Sequence, residues 1–207
     1  MSALSKSSIL DALATGSLVV SPLLSNDQIG PSSIDLRMGT VVLVARAGKQ
    51  SHVDPRAYRD QKSHPGMEAS KQKHERFDVP FKDPFLLHPG SLALVPTLEW
   101  VAIPTTLQGV VTARSSWARE GLNIATATIV NPRYRGIVTL ELANFGEIPI
   151  QLYPGLRIAQ LALYTLERRD VAKDDEPEDV DARQFNLAFE PEAGNIAKKD
   201  ERFLPAL

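Results

Sequence analysis

The chain contains no cysteine among its 207 residues. Disulfides, thiolate zinc sites and a cysteine nucleophile are therefore excluded, and the composition suits a reducing cytosol. An excess of one charge is also lacking: 23 Lys and Arg face 25 Asp and Glu, a formal net charge of −2. No global field draws the chain onto nucleic acid or an anionic membrane, and neither is expected as a partner. The apolar run 92–103 is broken by Pro96 and Glu99, so no segment is expected to span a bilayer. The N-terminal MSALSKSSIL lacks the apolar core of a signal peptide, and a cytoplasmic location is expected.

What is present is ordinary for a soluble domain: 43% hydrophobic and 23% charged residues, on a chain long enough for one real core. Ser7-Ser8 ahead of ILDALATG predicts a short capped helix stopped at Gly16. GPSSIDLRMG (30–39) is turn chemistry leading into a strand, and residues 41–44 continue as apolar strand. Residues 47–78 are polar, with Gly48, Pro55 and Pro65 as breakers, and read as a long surface insertion. They hold His52, His64 and His74, whose spacing matches no helical ligand pair. A solvated loop is preferred there over a metal site.

From Phe85 onward, short apolar runs alternate with turn signals: HPG (88–90), PTLE (96–99), NP (131–132), FGE (145–147) and YPG (153–155). That density of short strands predicts an all-β sandwich or barrel. Residues 1–166 are read as one β domain. Residues 167–207 are read as an acidic linker, with seven acidic residues in 170–181, and a tail. The scattered apolar anchors of the tail suit docking on the core or on a neighbouring subunit.

Three segments carry chemistry. In TARSSWAREGL (112–122), Arg114 and Arg119 offer planar donor forks and Ser115 and Ser116 add short donors, a set suited to an anion. One helical turn would place Ser115 and Arg119 on one face. The competing reading is a helix cap with two surface arginines, only half supported because no Glu or Gln follows either serine at the third position. In GIVTLELAN (136–144), strand alternation sets Val138, Leu140 and Leu142 against Ile137, Thr139, Glu141 and Ala143. Glu141 is the sole charge, either facing solvent or held in a pocket wall, where burial would let it carry a proton near neutrality. In YPGLRIAQLALY (153–164), Gln160 stands in an apolar strand and needs a partner, either backbone or ligand.

In order and spacing, five segments resemble the dCTP deaminase family, a branch of the trimeric dUTPase-like fold. They are PSSIDLRMG (31–39), LLHPGSLALVPTLEWVAIP (86–104), GVVTARSSWAREGL (109–122), NPRYRGIVTLELAN (131–144) and PIQLYPGLRIAQLALY (149–164). The resemblance implies an all-β distorted barrel or jelly-roll with a short N-terminal helix, assembled as a homotrimer with active sites between subunits. It implies that Arg114, Ser116 and Gln160 hold phosphate, that Ser115 and Arg119 lie nearer the base, and that the Ala127 carbonyl places a water. Tyr134 would pack on the deoxyribose and Asn131 would meet the sugar 3′-hydroxyl, where an aspartate is the rule. Plain dUTPases use an aspartate at that point to activate water. Asparagine cannot act as a base, which disfavours their pyrophosphate-releasing chemistry, kept here as the alternative.

The implied reaction is zinc-independent hydrolytic deamination of dCTP to dUTP and ammonia. Glu141 would take a proton from water and pass it to ring N3 while hydroxide attacks C4. Magnesium would be bound through the triphosphate and not by the protein. A zinc deaminase would need the H-x-E and P-C-x-x-C pattern, which a chain without cysteine cannot form. The tail lacks the Gly/Gln-rich segment that in relatives folds over the triphosphate, so a nucleotide-binding homologue without turnover is a further alternative.

Overall fold

The computed structural model describes residues 2–46, 52–55, 74–124, 128–167 and 187–191. Helix α1 (Lys6–Ala14) is capped by Ser5, whose hydroxyl accepts from the Ser8 N–H at 3.3 Å. The cap is therefore not the Ser7-Ser8 pair. A cap needs extended backbone, which Ser5 has, and a hydroxyl that reaches the third helical N–H. Gly16, at φ +70°, follows the helix as predicted.

Twelve strands follow among the described residues: β1 (Val19–Ser21), β2 (Ser33–Arg37), β3 (Val41–Ala45), β4 (His74–Asp78), β5 (Phe85–Leu87), β6 (Leu92–Ala102), β7 (Leu107–Ala113), β8 (Leu122–Ile124), β9 (Ile129–Val130), β10 (Arg135–Asn144), β11 (Ile150–Leu152) and β12 (Arg157–Thr165). One sheet runs β4-β3-β6-β10-β8, with β1 also on β6. A second runs β2-β12-β7-β9, and β11 pairs with β5. The pairings between these strands are all antiparallel. Ile34 and Leu36 of β2, Leu140 and Leu142 of β10, and Leu161 and Leu163 of β12 are fully buried. Each such side chain contributes about 2 kcal/mol by leaving water. The fold is all-β with a short N-terminal helix, as the sequence implies.

Two segments differ from their reading. PTLE (96–99) is not a turn but lies inside β6. The register with β10 jumps from Ile137↔Trp100 to Thr139↔Pro96, and the proline is housed at that bulge. The Thr97 hydroxyl replaces the missing ladder partner: it accepts from the Val138 N–H at 2.9 Å and donates to the Glu99 carbonyl at 2.7 Å. Residues 74–78, read as the end of the polar insertion, form β4 along β3. Charged side chains on a sheet edge look like loop in sequence, and only Phe77 of this strand packs against the core. The strand includes His74; of the other insertion histidines, His52 lies in a described stretch and His64 outside the described residues.

The chain returns at residues 187–191. The Leu187 N–H donates to the Arg135 carbonyl at 2.6 Å and the Ile137 N–H to the Ala188 carbonyl at 3.0 Å. Glu190 pairs with Arg76 of β4 at 2.6 Å.

Candidate active site

Strand β7 delivers the arginine-serine segment. Its ladder with β12 continues past Ala113, because the Arg114 N–H donates to the Ile158 carbonyl at 3.0 Å. Helix α2 (Ser115–Arg119) then begins, with Arg114 as an N-cap whose side chain makes no capping bond. Neither serine caps the helix, so the cap reading of this segment fails. Trp117 pins the turn: it packs on the core and its indole N–H donates to the Arg157 carbonyl at 3.0 Å. Ser115, Ser116 and Arg119 remain exposed around it.

Cross-strand pairing sets Asp35 of β2, Gln160 of β12 and Thr112 of β7 in one row. Paired residues share a sheet face. Arg114, two residues beyond Thr112, reaches the same face. Its Nε lies 3.4 Å from Asp35 Oδ1. Arg157 Nη1 lies 3.5 Å from Asp35 Oδ2 and 3.0 Å from Asp27 Oδ2. The Gln160 amide donates to Asp35 Oδ1 at 3.4 Å. The partner that Gln160 needs is thus a carboxylate side chain. The structure brings Arg114 and Gln160 together on Asp35, and adds Arg157 to the group. The signal for Asp35 and Arg157 was weak in sequence: a carboxylate and an arginine, each alternating with apolar residues in its own strand.

Behind this row stands a second carboxylate. Glu99 of β6 is completely buried. It accepts from the Gln28 amide at 2.6 Å and from the Arg37 N–H at 2.8 Å. Gln28 in turn donates to the Asp35 carbonyl at 2.9 Å. Burial pushes the Glu99 carboxyl above its ordinary value, against the lowering effect of those hydrogen bonds. The backbone of residues 35–37 is therefore fixed by Glu99 and Gln28.

The residues expected to meet the sugar sit on the turn between β9 and β10, which lie in different sheets, so this segment is not a hairpin. Asn131 is exposed, and its carbonyl accepts from the Tyr134 N–H at 3.2 Å. Arg133 takes the left-handed conformation, φ 65°, that the tight turn requires. The Tyr134 hydroxyl donates to the Ile137 carbonyl, which ties the side chain to the start of β10. Ala127 lies outside the described residues. Glu141 is half-buried on β10, opposite Leu94 of β6, and Leu140 and Leu142 beside it are buried. Its strand belongs to the β6-centred sheet, whereas Arg114, Asp35 and Gln160 belong to the other. Helix α2 and β8 connect the two, since β8 pairs with β10 from Leu142 to Asn144.

Residues 3–166 match the family described as dCTP deaminase-like. A protein of Methanobrevibacter smithii named dCTP deaminase, dUMP-forming, is 36% identical over 167 residues, spanning 80% of this chain and 81% of its own. A dCTP deaminase of Halorubrum lacusprofundi is 40% identical over 166 residues, spanning 79% of this chain and 77% of its own. The crystal structure of 2'-deoxycytidine 5'-triphosphate deaminase from Agrobacterium tumefaciens aligns with a TM-score of 0.58 at 22% identity, over 79% of this chain and 48% of that one. At that identity the likeness speaks for the fold alone.

Proposed function

Because the chain belongs to the dCTP deaminase-like family, we propose that it is a hydrolase that removes the amino group of dCTP. The match over residues 3–166 carries this reading. It is supported by a half-buried glutamate on β10 and a two-arginine donor cluster on the other sheet.

In the proposed step, Glu141 takes a proton from water and hands it to ring N3. The resulting hydroxide adds to C4. The amino group then leaves as ammonia with a proton, and the C4 oxygen becomes the uracil carbonyl. Ser115 and the Ala127 carbonyl orient the water, and Arg119 balances charge beside the carboxylate. Arg114, Ser116 and Gln160 hold the phosphates, and Asn131 and Tyr134 hold the sugar. The active site is completed between subunits of a homotrimer, which suits a chain whose phosphate grip and glutamate stand on different sheets.

Magnesium would be bound through the nucleotide phosphates, where it would neutralise their charge. Among the described residues no three acidic or imidazole side chains converge on one point. The carboxylate of the phosphate-side cluster, Asp35, already faces two guanidiniums. Those residues fit a cation carried by phosphate oxygens better than one held by protein ligands alone.

The proposed product is dUTP, since Asn131 offers no base for attack on a phosphate. A second reading, dUMP as product, is favoured by the name of the Methanobrevibacter relative; it would release pyrophosphate with the ammonia. Incubation of the protein with dCTP, assayed for ammonia and pyrophosphate separately, distinguishes them. Ammonia alone supports dUTP, both products support dUMP, and neither removes the enzymatic reading. Arg114→Ala is expected to raise KM for dCTP about tenfold or more, the usual weight of a charge-assisted bond. Steady-state ammonia release checks this, and an unmoved KM would take Arg114 out of the phosphate site.

A further inference from the structure

We propose that Asp35 is a positioning residue that aims Arg114, Arg157 and Gln160 at the nucleotide phosphates, with Arg157 an additional phosphate-binding residue. This rests on the reading above that Arg114 and Gln160 meet phosphate.

The geometry is layered. The Asp35 side chain is only 11% exposed, whereas Arg114 and Arg157 are 32% and 28% exposed. The carboxylate thus lies beneath two guanidiniums that still face water. Each arginine has five N–H donors, and Asp35 engages Nε of one and a terminal nitrogen of the other. The Gln160 amide carries two N–H donors, of which one faces Asp35. Donors therefore remain on all three side chains, and Thr112, next to Gln160 in the row, is exposed.

Charge follows the same logic. Two guanidiniums drawn to one face would repel each other; the Asp35 carboxylate between them offsets that repulsion, and Asp27 on Arg157 completes the charge balance, so an anion would be gripped by the remaining N–H donors and not by an excess of positive charge. Asp35 is itself held from behind, because Gln28 takes its carbonyl and Glu99 takes the next-but-one N–H. Charged forks fixed before the ligand arrives cost less ordering on binding.

Titration calorimetry with dCTP, dCMP and deoxycytidine, in the presence of magnesium, tests this on the full chain. Asp35→Asn is expected to weaken dCTP binding about tenfold to a hundredfold, dCMP less, and deoxycytidine hardly at all. In an Arg114→Ala background the same substitution should cost less than in the parent, because Asp35 then has only Arg157 and Gln160 left to place. Asp35→Ser, with circular dichroism as the folding check, repeats the measurement should the Asn variant unfold. Equal weakening for all three ligands, additive losses in the double variant, or failure of both variants to fold would make Asp35 a purely structural residue and overturn the proposal. Since binding is what is read, dCTP bound without ammonia release would remove the deaminase reading while leaving Asp35 judged by its own affinities. A wild-type protein with no affinity for any of the three would remove both.

Discussion

Glu141→Gln is expected to abolish measurable ammonia release from dCTP, with kcat falling about a thousandfold, within the range typical of a lost general acid–base. The amide is nearly the same size as the carboxylate, so the strand pairing with Leu94 and the buried flanks Leu140 and Leu142 have no reason to change. Glutamine can still accept and donate hydrogen bonds but cannot take a proton from water. Binding should survive, because phosphate and sugar contacts are assigned to other residues. Ammonia assays on the variant, with dCTP affinity measured beside them, separate the two contributions. A variant that turns over normally would remove the proposed proton shuttle. One that loses binding as severely as turnover would recast Glu141 as a substrate ligand.

Glu99→Ala is expected to cost about 3 kcal/mol of stability, as for one partner removed from a buried charged network. For a chain of this length that is about 10 °C in Tm. The substitution orphans the Arg37 N–H and one bond of the Gln28 amide, and empties volume beneath β2. Chemical denaturation checks it, and a loss below about 1 kcal/mol would show that water or relaxation satisfies those donors. The same residue gives a pH signature. Its folded-state carboxyl titrates above the ordinary value of 4.5, mainly through burial. Between the two values the native chain binds more protons than the unfolded one, so stability falls as pH rises through that window and levels off above it. Glu99→Gln, which does not titrate there, should lack this slope. The advantage of the parent over the variant should therefore shrink as pH climbs from 4.5.

Local chemistry made much of this readable from sequence. Strand alternation correctly separated Thr139 and Glu141 from Leu140 and Leu142 on β10, and Gly16 marked the helix end. The five segments that carry the family resemblance fall within the matched region 3–166. What stayed hidden was long-range. Pro96 and Glu99 look like breakers until β10 supplies a bulge and residues 71 and 62 positions away supply partners for the carboxylate. Asp35 looks like a single polar residue in a strand until Gln160, 125 positions later, pairs with it. Charged β4 looks like loop because an edge strand needs no continuous apolar face. In each case the missing information was the identity of a distant partner.

The contact of residues 187–191 with β10 bears on how the protein can be shortened. Trimming it to the region that defines the family would strip Ala188 and Glu190 from their places on Ile137 and Arg76. The Arg135 carbonyl and the Ile137 N–H would then lie bare, beside the turn that carries Tyr134. Such a bare ladder invites strands of other molecules to zip onto it, so the shorter protein trades a tidy boundary for a tendency to aggregate.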